Sequence, residues 1–194
     1  ATFAWTIPRS RASRTASSTA SSDIVIEANT FRRMSADGVT GAGSSRLLIK
    51  DNDFSDFAPL AGAHPDAIQI FTKGATASAE DITIVGNRIN RGRGGIPQGI
   101  FLTDQVGNLP YRRVVIRDNE IIGAMYNGIA VMHAEDVEIS GNTVQPIEGM
   151  NSRISLFKVT RGRTFNNRYW KLIQEGNQDL AVQDRPSLKP KAAP

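Results

Sequence analysis

The chain has no cysteine in its 194 residues. Disulfides and thiolate-bound metal are therefore excluded, while the redox compartment stays open. No window approaches the ~18 uninterrupted apolar residues of a membrane helix, so no membrane is expected as a partner. The net charge is +4, yet basic residues are scattered among acids. No Lys/Arg run with interleaved aromatics outlines a nucleic-acid groove, and nucleic acid is not an expected partner either. Histidines number two, so imidazole chemistry falls on His64 or His133. The glycine-rich stretch 91–95 is not followed by the Gly-Lys-Ser/Thr of a phosphate-binding loop.

Apolar residues make up 40% of the sequence, too many for disorder and enough for one domain or solenoid segment. The start at Ala1 suits a mature protein or an excised piece. From Asp23 onward a short phrase recurs: two aliphatics in alternation, then an asparagine. The asparagines are Asn29, Asn52, Asn87, Asn119, Asn142 and, more weakly, Asn167. Their spacing, 23, 35, 32, 23 and 25, describes a basal unit near 23 residues with insertions, as in a stacked β solenoid. The Leu-x-x-Leu-x-Leu frame of leucine-rich repeats is missing. A second phrase lies between the first ones, a polar residue followed by alternating aliphatics. It begins at Asp37, Asp66, Gln98, Asn127 and Ser152. Each unit is read as two strands plus a short third one around Phe31, Phe54, Ile89, Ile121 and Val144, because β-branched residues alternate with period 2.

The expected organisation has three parts. Residues 1–22 form an N-terminal arm or irregular first coil, 23–169 the solenoid of about six coils, and 170–194 a C-terminal cap with a Pro-rich tail. Stacking places equivalent residues ~4.8 Å apart. Aliphatics become core columns, and the asparagines become an amide ladder at a turn whose left-handed backbone they are suited to. The longer coils carry insertions at 55–65, 73–80, 90–97 and 105–112, all beside the second-phrase strands, where function is expected.

The Ile-x-x-Asn phrase, paired with the Asp66-Ala-Ile-Gln-Ile type of strand, resembles the right-handed parallel β-helix proteins of the pectate-lyase-like superfamily over 23–169. The resemblance implies an all-β right-handed parallel β-helix with an Asn ladder. It also implies a saccharide cleft on the outer face of the second-phrase strands. Activities in the superfamily include polysaccharide lyases, hydrolases, epimerases and phage tailspikes. The chain carries Ala63-His-Pro-Asp66 rather than the Asp-Pro-His of the epimerases. It has no adjacent aspartate pair of the polygalacturonase type, and no acidic calcium cluster with an Arg-x-Pro-x-x-Arg element.

Three constellations can carry chemistry. His64 and Asp66 flank Pro65 just before a strand; imidazole can move a proton near neutral pH and the carboxylate can orient it or bind a cation. Asp66 also belongs to the polar column of Asp37, Gln98, Asn127 and Ser152, which has a structural role. The stacking register draws Gly43, Thr72, Asp104, His133 and Lys158 into one column, so acid, imidazole and amine stand on consecutive coils. A turn must swing them outward. Lys73, Arg91, Arg93, Arg112 and Arg113 are basic groups near the insertions. Arg91 and Arg93 sit where glycines would let backbone approach a ligand, and guanidinium groups grip carboxylates in a fork. Phe71, Phe101, Tyr111 and Tyr126 could stack on sugar rings.

The expected function is action on an acidic polysaccharide, by lyase-type β-elimination ahead of hydrolysis or epimerisation. His64, Asp66, His133 and Asp104 are the catalytic candidates, and Lys73, Arg91, Arg93, Phe71, Phe101, Tyr126 and Lys158 the substrate-binding ones. No metal ligand set is expected, and Ca2+ is the one cofactor left open. The alternative is a non-enzymatic tailspike- or adhesin-like β-helix, monomeric or homotrimeric. The expected location is secreted, periplasmic, or on a cell surface or virion.

Overall fold

The computed structural model describes residues 3–5, 16–19 and 22–192; the side chains of 3–5 and 16–19 are outside the description. Every regular element is a β-strand, and every strand pairing within the sheets is parallel. The chain winds through three faces per coil. The first face stacks Ala16–Thr19, Val39–Ala42, Asp66–Phe71 and Gln98–Thr103, then 127–132, 153–157 and Leu172–Glu175. The second stacks Phe3–Trp5, Ser22–Glu27, Ser45–Lys50, Glu80–Val85 and Tyr111–Arg117, then 134–140, 159–165 and Gln178–Val182. The third stacks Thr30–Arg32, Asp53–Ser55, Arg88–Asn90, Glu120–Ile122, Thr143–Gln145 and Arg168–Tyr169. This is the expected parallel β-helix, in the register read from the asparagines.

Alternation puts one side of each strand into a single core. Ile68, Ile70, Ile100, Leu102, Ile129 and Val131 fill it from the first face, and Ile82, Ile84, Val114 and Ile116 from the second. Phe31 and Phe54 stack on the third with ring centroids 4.6 Å apart and planes within 6°. That geometry follows from in-register columns, where identical side chains lie one strand spacing apart.

The asparagines are buried. Asn87 Oδ1 accepts from both the backbone N–H and Nδ2 of Asn52, at 3.0 and 2.9 Å. Its own Nδ2 donates to Ile49 O, Val85 O and Asn119 Oδ1. The same arrangement holds along the ladder from Asn29 to Asn167. Two features were not read from the sequence. The left-handed residue is the one before each asparagine (Ala28, Asp51, Gly86, Asp118, Gly141, Asn166, φ 53 to 67°), so the asparagine itself serves as the amide and not as the αL residue. And the ladder ends on Asp184, whose carboxylate accepts from Asn167 N and Nδ2 at 2.9 and 2.7 Å. An ionised carboxylate only accepts, so it terminates a ladder that an amide would propagate.

A second ladder runs along the exposed start of the second face. The register aligns Asp23, Arg46, Asp81, Arg113, Asp136, Arg161 and Asp179, alternating in charge at every coil. All seven have positive φ. Arg46 grips Asp23, Arg113 grips Asp81 and Arg161 grips Asp136, each through two nitrogens.

Strand Phe3–Trp5 pairs with 24–26 and Ala16–Thr19 with 39–42, so parts of 1–22 belong to the stack. The Ser/Arg-rich stretch expected as an arm otherwise lies outside the described residues. After Leu172–Glu175 and Gln178–Val182 extend the stack by most of a coil, the tail folds back. Leu188 N donates to Tyr169 O, and residue 191 bridges Ile147.

Asn119→Ala removes both the acceptor for Asn87 and three donated bonds, with no water to replace them. It is expected to cost about 3 kcal/mol or more in urea unfolding, whereas Arg113→Gln on the solvated charge ladder is expected to change the midpoint little and less in high salt.

Candidate functional site

The first-face strands have two ends, separated by about 16 Å for a six-residue strand. The candidate residues divide between them. At the end where the strands begin lie His64, Asp66, Arg91, Arg93 and Tyr126. At the end where they finish lie Lys73, Asp104, His133 and Lys158.

The finishing end carries the organised site. In compact coils the chain bends there through a left-handed residue, Gly43, His133 (φ 64°) or Lys158 (φ 52°). In the two longer coils that bend is replaced by an insertion after Thr72 or Asp104. Asp104 organises its own insertion. Its Oδ1 accepts from Thr72 Oγ1 at 2.6 Å and from the Val106 and Gly107 amides; its Oδ2 accepts from the Leu109 amide and approaches His133 Nδ1 at 2.6 Å. The Asp104 side chain has no exposed surface, while that of His133 is 31% exposed. Burial pushes the Asp104 carboxyl up, but the hydrogen bonds outweigh it and hold the group at about 2. An ionised carboxylate can only accept, so His133 Nδ1 directs a proton at Asp104, and in the neutral imidazole this makes Nε2 the proton-accepting nitrogen. Lys158 follows His133 in the column by one coil, because Met132 pairs with Phe157, and it is exposed, as is Lys73.

The outer side of the first face beside this site carries Phe71, Phe101, Met132 and Phe157, all half-buried. Phe71 and Phe101 thus keep their outward parity. Tyr111 does not belong there: it is fully buried in the core cluster, with its hydroxyl donating to Thr103 O.

The beginning end is different. His64 is exposed while Asp66 is 3% exposed, and no hydrogen bond joins them. Asp37 Oδ1 accepts from the Asp66 amide at 2.8 Å, and Asn127 Nδ2 donates to Gln98 Oε1 at 2.7 Å, so hydrogen bonds link parts of this polar column from coil to coil. Asp66 Oδ1 is buried with no hydrogen-bond partner. Burial, with Asp37 adding to it, raises its carboxyl from 3.8 to about 8. The glycine-rich loop is also structural. A Cβ on Gly94 would collide with the backbone of Asp56 and Phe57, and one on Gly95 with Pro59. These glycines let the loop close on the neighbouring coil's loop. Arg91 Nε donates to Gly94 O within the loop, and the Arg93 side chain is exposed. Arg112 and Arg113 are spent on Glu135 and on Glu80 with Asp81.

Two contributors escaped the sequence reading. Thr72 was aligned in the column but assigned no role; its hydroxyl ties Asp104 to the coil before. Arg153 was not considered; its guanidinium lies 5.9 Å from the Tyr126 ring centroid. The column position was the available signal for the first, and the pairing of 127 with 153 for the second. Among the described residues no cluster of three or more His, Cys, Asp or Glu could hold a metal ion.

A family model described as "Right handed beta helix region" matches residues 7–144, well over half of the chain. No curated protein matches the chain significantly.

Asp66 has a folded-state value above its unfolded one, so its contribution is fully present below 3.8 and is lost as pH rises towards 8. Asp66→Asn, neutral at every pH, is expected to raise the urea midpoint at pH 8 relative to wild type and to leave it nearly unchanged at pH 4; the same shift at both values would overturn the assignment.

Proposed function

The chain belongs to the right-handed β-helix family, and from that premise we propose that it binds an acidic polysaccharide across the outer side of its first face and cleaves it by β-elimination at His133. The observation that carries this reading is the 2.6 Å contact between His133 Nδ1 and the ionised, fully covered Asp104, set at the edge of a face bearing outward aromatics.

Elimination from a uronate needs a base at the carbon beside the carboxylate. His133 Nε2 takes that proton. The electron pair left on carbon forms the new carbon–carbon double bond as the bond to the glycosidic oxygen breaks, and that oxygen leaves with the pair and gains a proton from solvent or from the imidazolium. Asp104 fixes the tautomer and stabilises the imidazolium, as a positioning residue without contact to substrate. Lys158 and Lys73, exposed cations beside the column, offset the carboxylate charge that builds up as the proton departs. Phe71 and Phe101 offer apolar faces to sugar rings. The reading implies a secreted, periplasmic or surface setting, where such polymers occur.

The outward aromatics of this face also favour a second reading, in which the same face binds a glycan without cleaving it, as a tailspike- or adhesin-like module. Ultraviolet absorbance of the unsaturated uronate product, followed on a panel of polyuronates, decides between them. Cleavage by wild type is expected, with roughly a 100-fold or greater loss in His133→Ala and none in His64→Ala. Asp104→Asn is expected to lower the rate and shift its pH profile. Absence of product on every polyuronate would overturn the elimination, and binding with no turnover would establish the second reading.

A further inference from the structure

We propose that Arg153 and Tyr126 form a second anion-recognition site, at the beginning end of the first face, for a carboxylate or sulfate group carried on a saccharide. It rests on the reading of this face as a glycan surface, and not on the elimination chemistry at His133.

The arginines of the second-face ladders are committed: Arg46, Arg113, Arg161 and Arg163 each pair with a carboxylate of a neighbouring coil. Among the described residues, Arg153 takes part in no ion pair. It is also unlike the exposed arginines, because its Nε is buried with no hydrogen-bond partner. A buried guanidinium nitrogen without an acceptor is costly, so packing rather than solvent sets its position. Two contacts do this. The Arg153 amide donates to Tyr126 O at 3.0 Å, and the guanidinium lies 5.9 Å from the Tyr126 ring centroid, within cation–π range. An aromatic ring orients the cation without neutralising it, so the full charge and the rest of the donor fork are left for a ligand oxyanion.

Tyr126 is itself presented. It is 50% exposed and has φ 42°, a conformation bulky residues rarely adopt. The neighbouring Asn127 is tied to Gln98. Ser155, two residues beyond Arg153 and so on the same side of the strand, is fully buried and its hydroxyl has no hydrogen-bond partner. An unpaired cation and a presented phenol from successive coils therefore meet at the beginning end of this face, with an unsatisfied hydroxyl beside the cation on its own strand. Oxyanion recognition by the guanidinium fork uses the free charge, with the exposed phenol left to meet ring hydroxyls or a sugar face.

The test is binding to three oligosaccharides of matched length, one uronate, one sulfated and one uncharged, by calorimetry, with the Arg153 Nε–H resonance followed in wild type. Wild type is expected to bind a charged probe over the uncharged one and to shift that resonance. Arg153→Gln is expected to weaken charged-probe binding roughly 10- to 100-fold, Arg153→Lys by less, and Arg88→Gln, on the third face and paired with Glu120, not at all. Preference for the uronate or the sulfated probe identifies the anion. His133→Ala should retain this binding, so a failed elimination leaves the proposal standing. A resonance unmoved by every probe, or wild-type affinity in a folded Arg153→Gln, overturns it.

Discussion

The fold depends on a buried column of side-chain amides with no spare valence. Each rung from Asn52 to Asn142 accepts twice from the coil before and donates to two carbonyls and to the coil after. Because no water reaches these groups, a coil cannot slide without orphaning several at once. Sliding by one residue would also turn every core column outward, since strand side chains alternate with period 2. The amide ladder and the aliphatic columns therefore impose the same register. The alternating Asp–Arg ladder on the second face imposes it a third time. Its exposed pairs contribute little energy, but a coil skipped or repeated would bring like charges together. The ladder thus acts on register more than on stability.

A stack fixed in this way can carry insertions without losing its geometry. The compact coils turn from first to second face through left-handed residues, and the longer coils break at that same corner. The insertion after Asp104 does not float: three of its backbone amides end on the Asp104 carboxylate, which Thr72 anchors to the preceding coil. The candidate site is thereby built on the scaffold with the precision of the stack itself, and its members arrive from three successive coils through hydrogen bonds of 2.6 Å.

How much was legible follows from what the residue pattern encodes. The asparagines and aliphatics gave the register, and the register alone brought Asp104 beside His133 across 29 positions. Strand periodicity gave the outward parity of Phe71 and Phe101, but Tyr111 opens a strand after an insertion, where parity cannot be counted across the loop, and it folds inward. Asp184 was missed as the last rung because its spacing of 17 and its carboxylate both break the repeat. The charge ladder was present in the aligned columns but needed reading down the stack instead of along the chain. Glycines 92, 94 and 95 read equally well as room for a ligand or room for a neighbouring loop; only the location of Asp56 and Phe57 separates the two.

The two aspartates beside histidines show why proximity in sequence misleads where stacking decides. Asp66 stands two residues from His64, yet it is buried beside Asp37 with one oxygen lacking any donor. The protein holds it neutral up to about 8, and a neutral acid neither attracts a cation nor stabilises an imidazolium. Asp104 is less deeply buried and collects a hydroxyl, three amides and the imidazole, and it remains charged down to about 2. The difference lies in the supply of donors together with the deeper burial of Asp66. That supply comes from the 105–112 insertion, whose amides turn onto Asp104, whereas the 55–65 insertion before Asp66 sends no donor to its Oδ1. Of the two aspartates, only the one that meets a histidine between coils is held ionised at neutral pH.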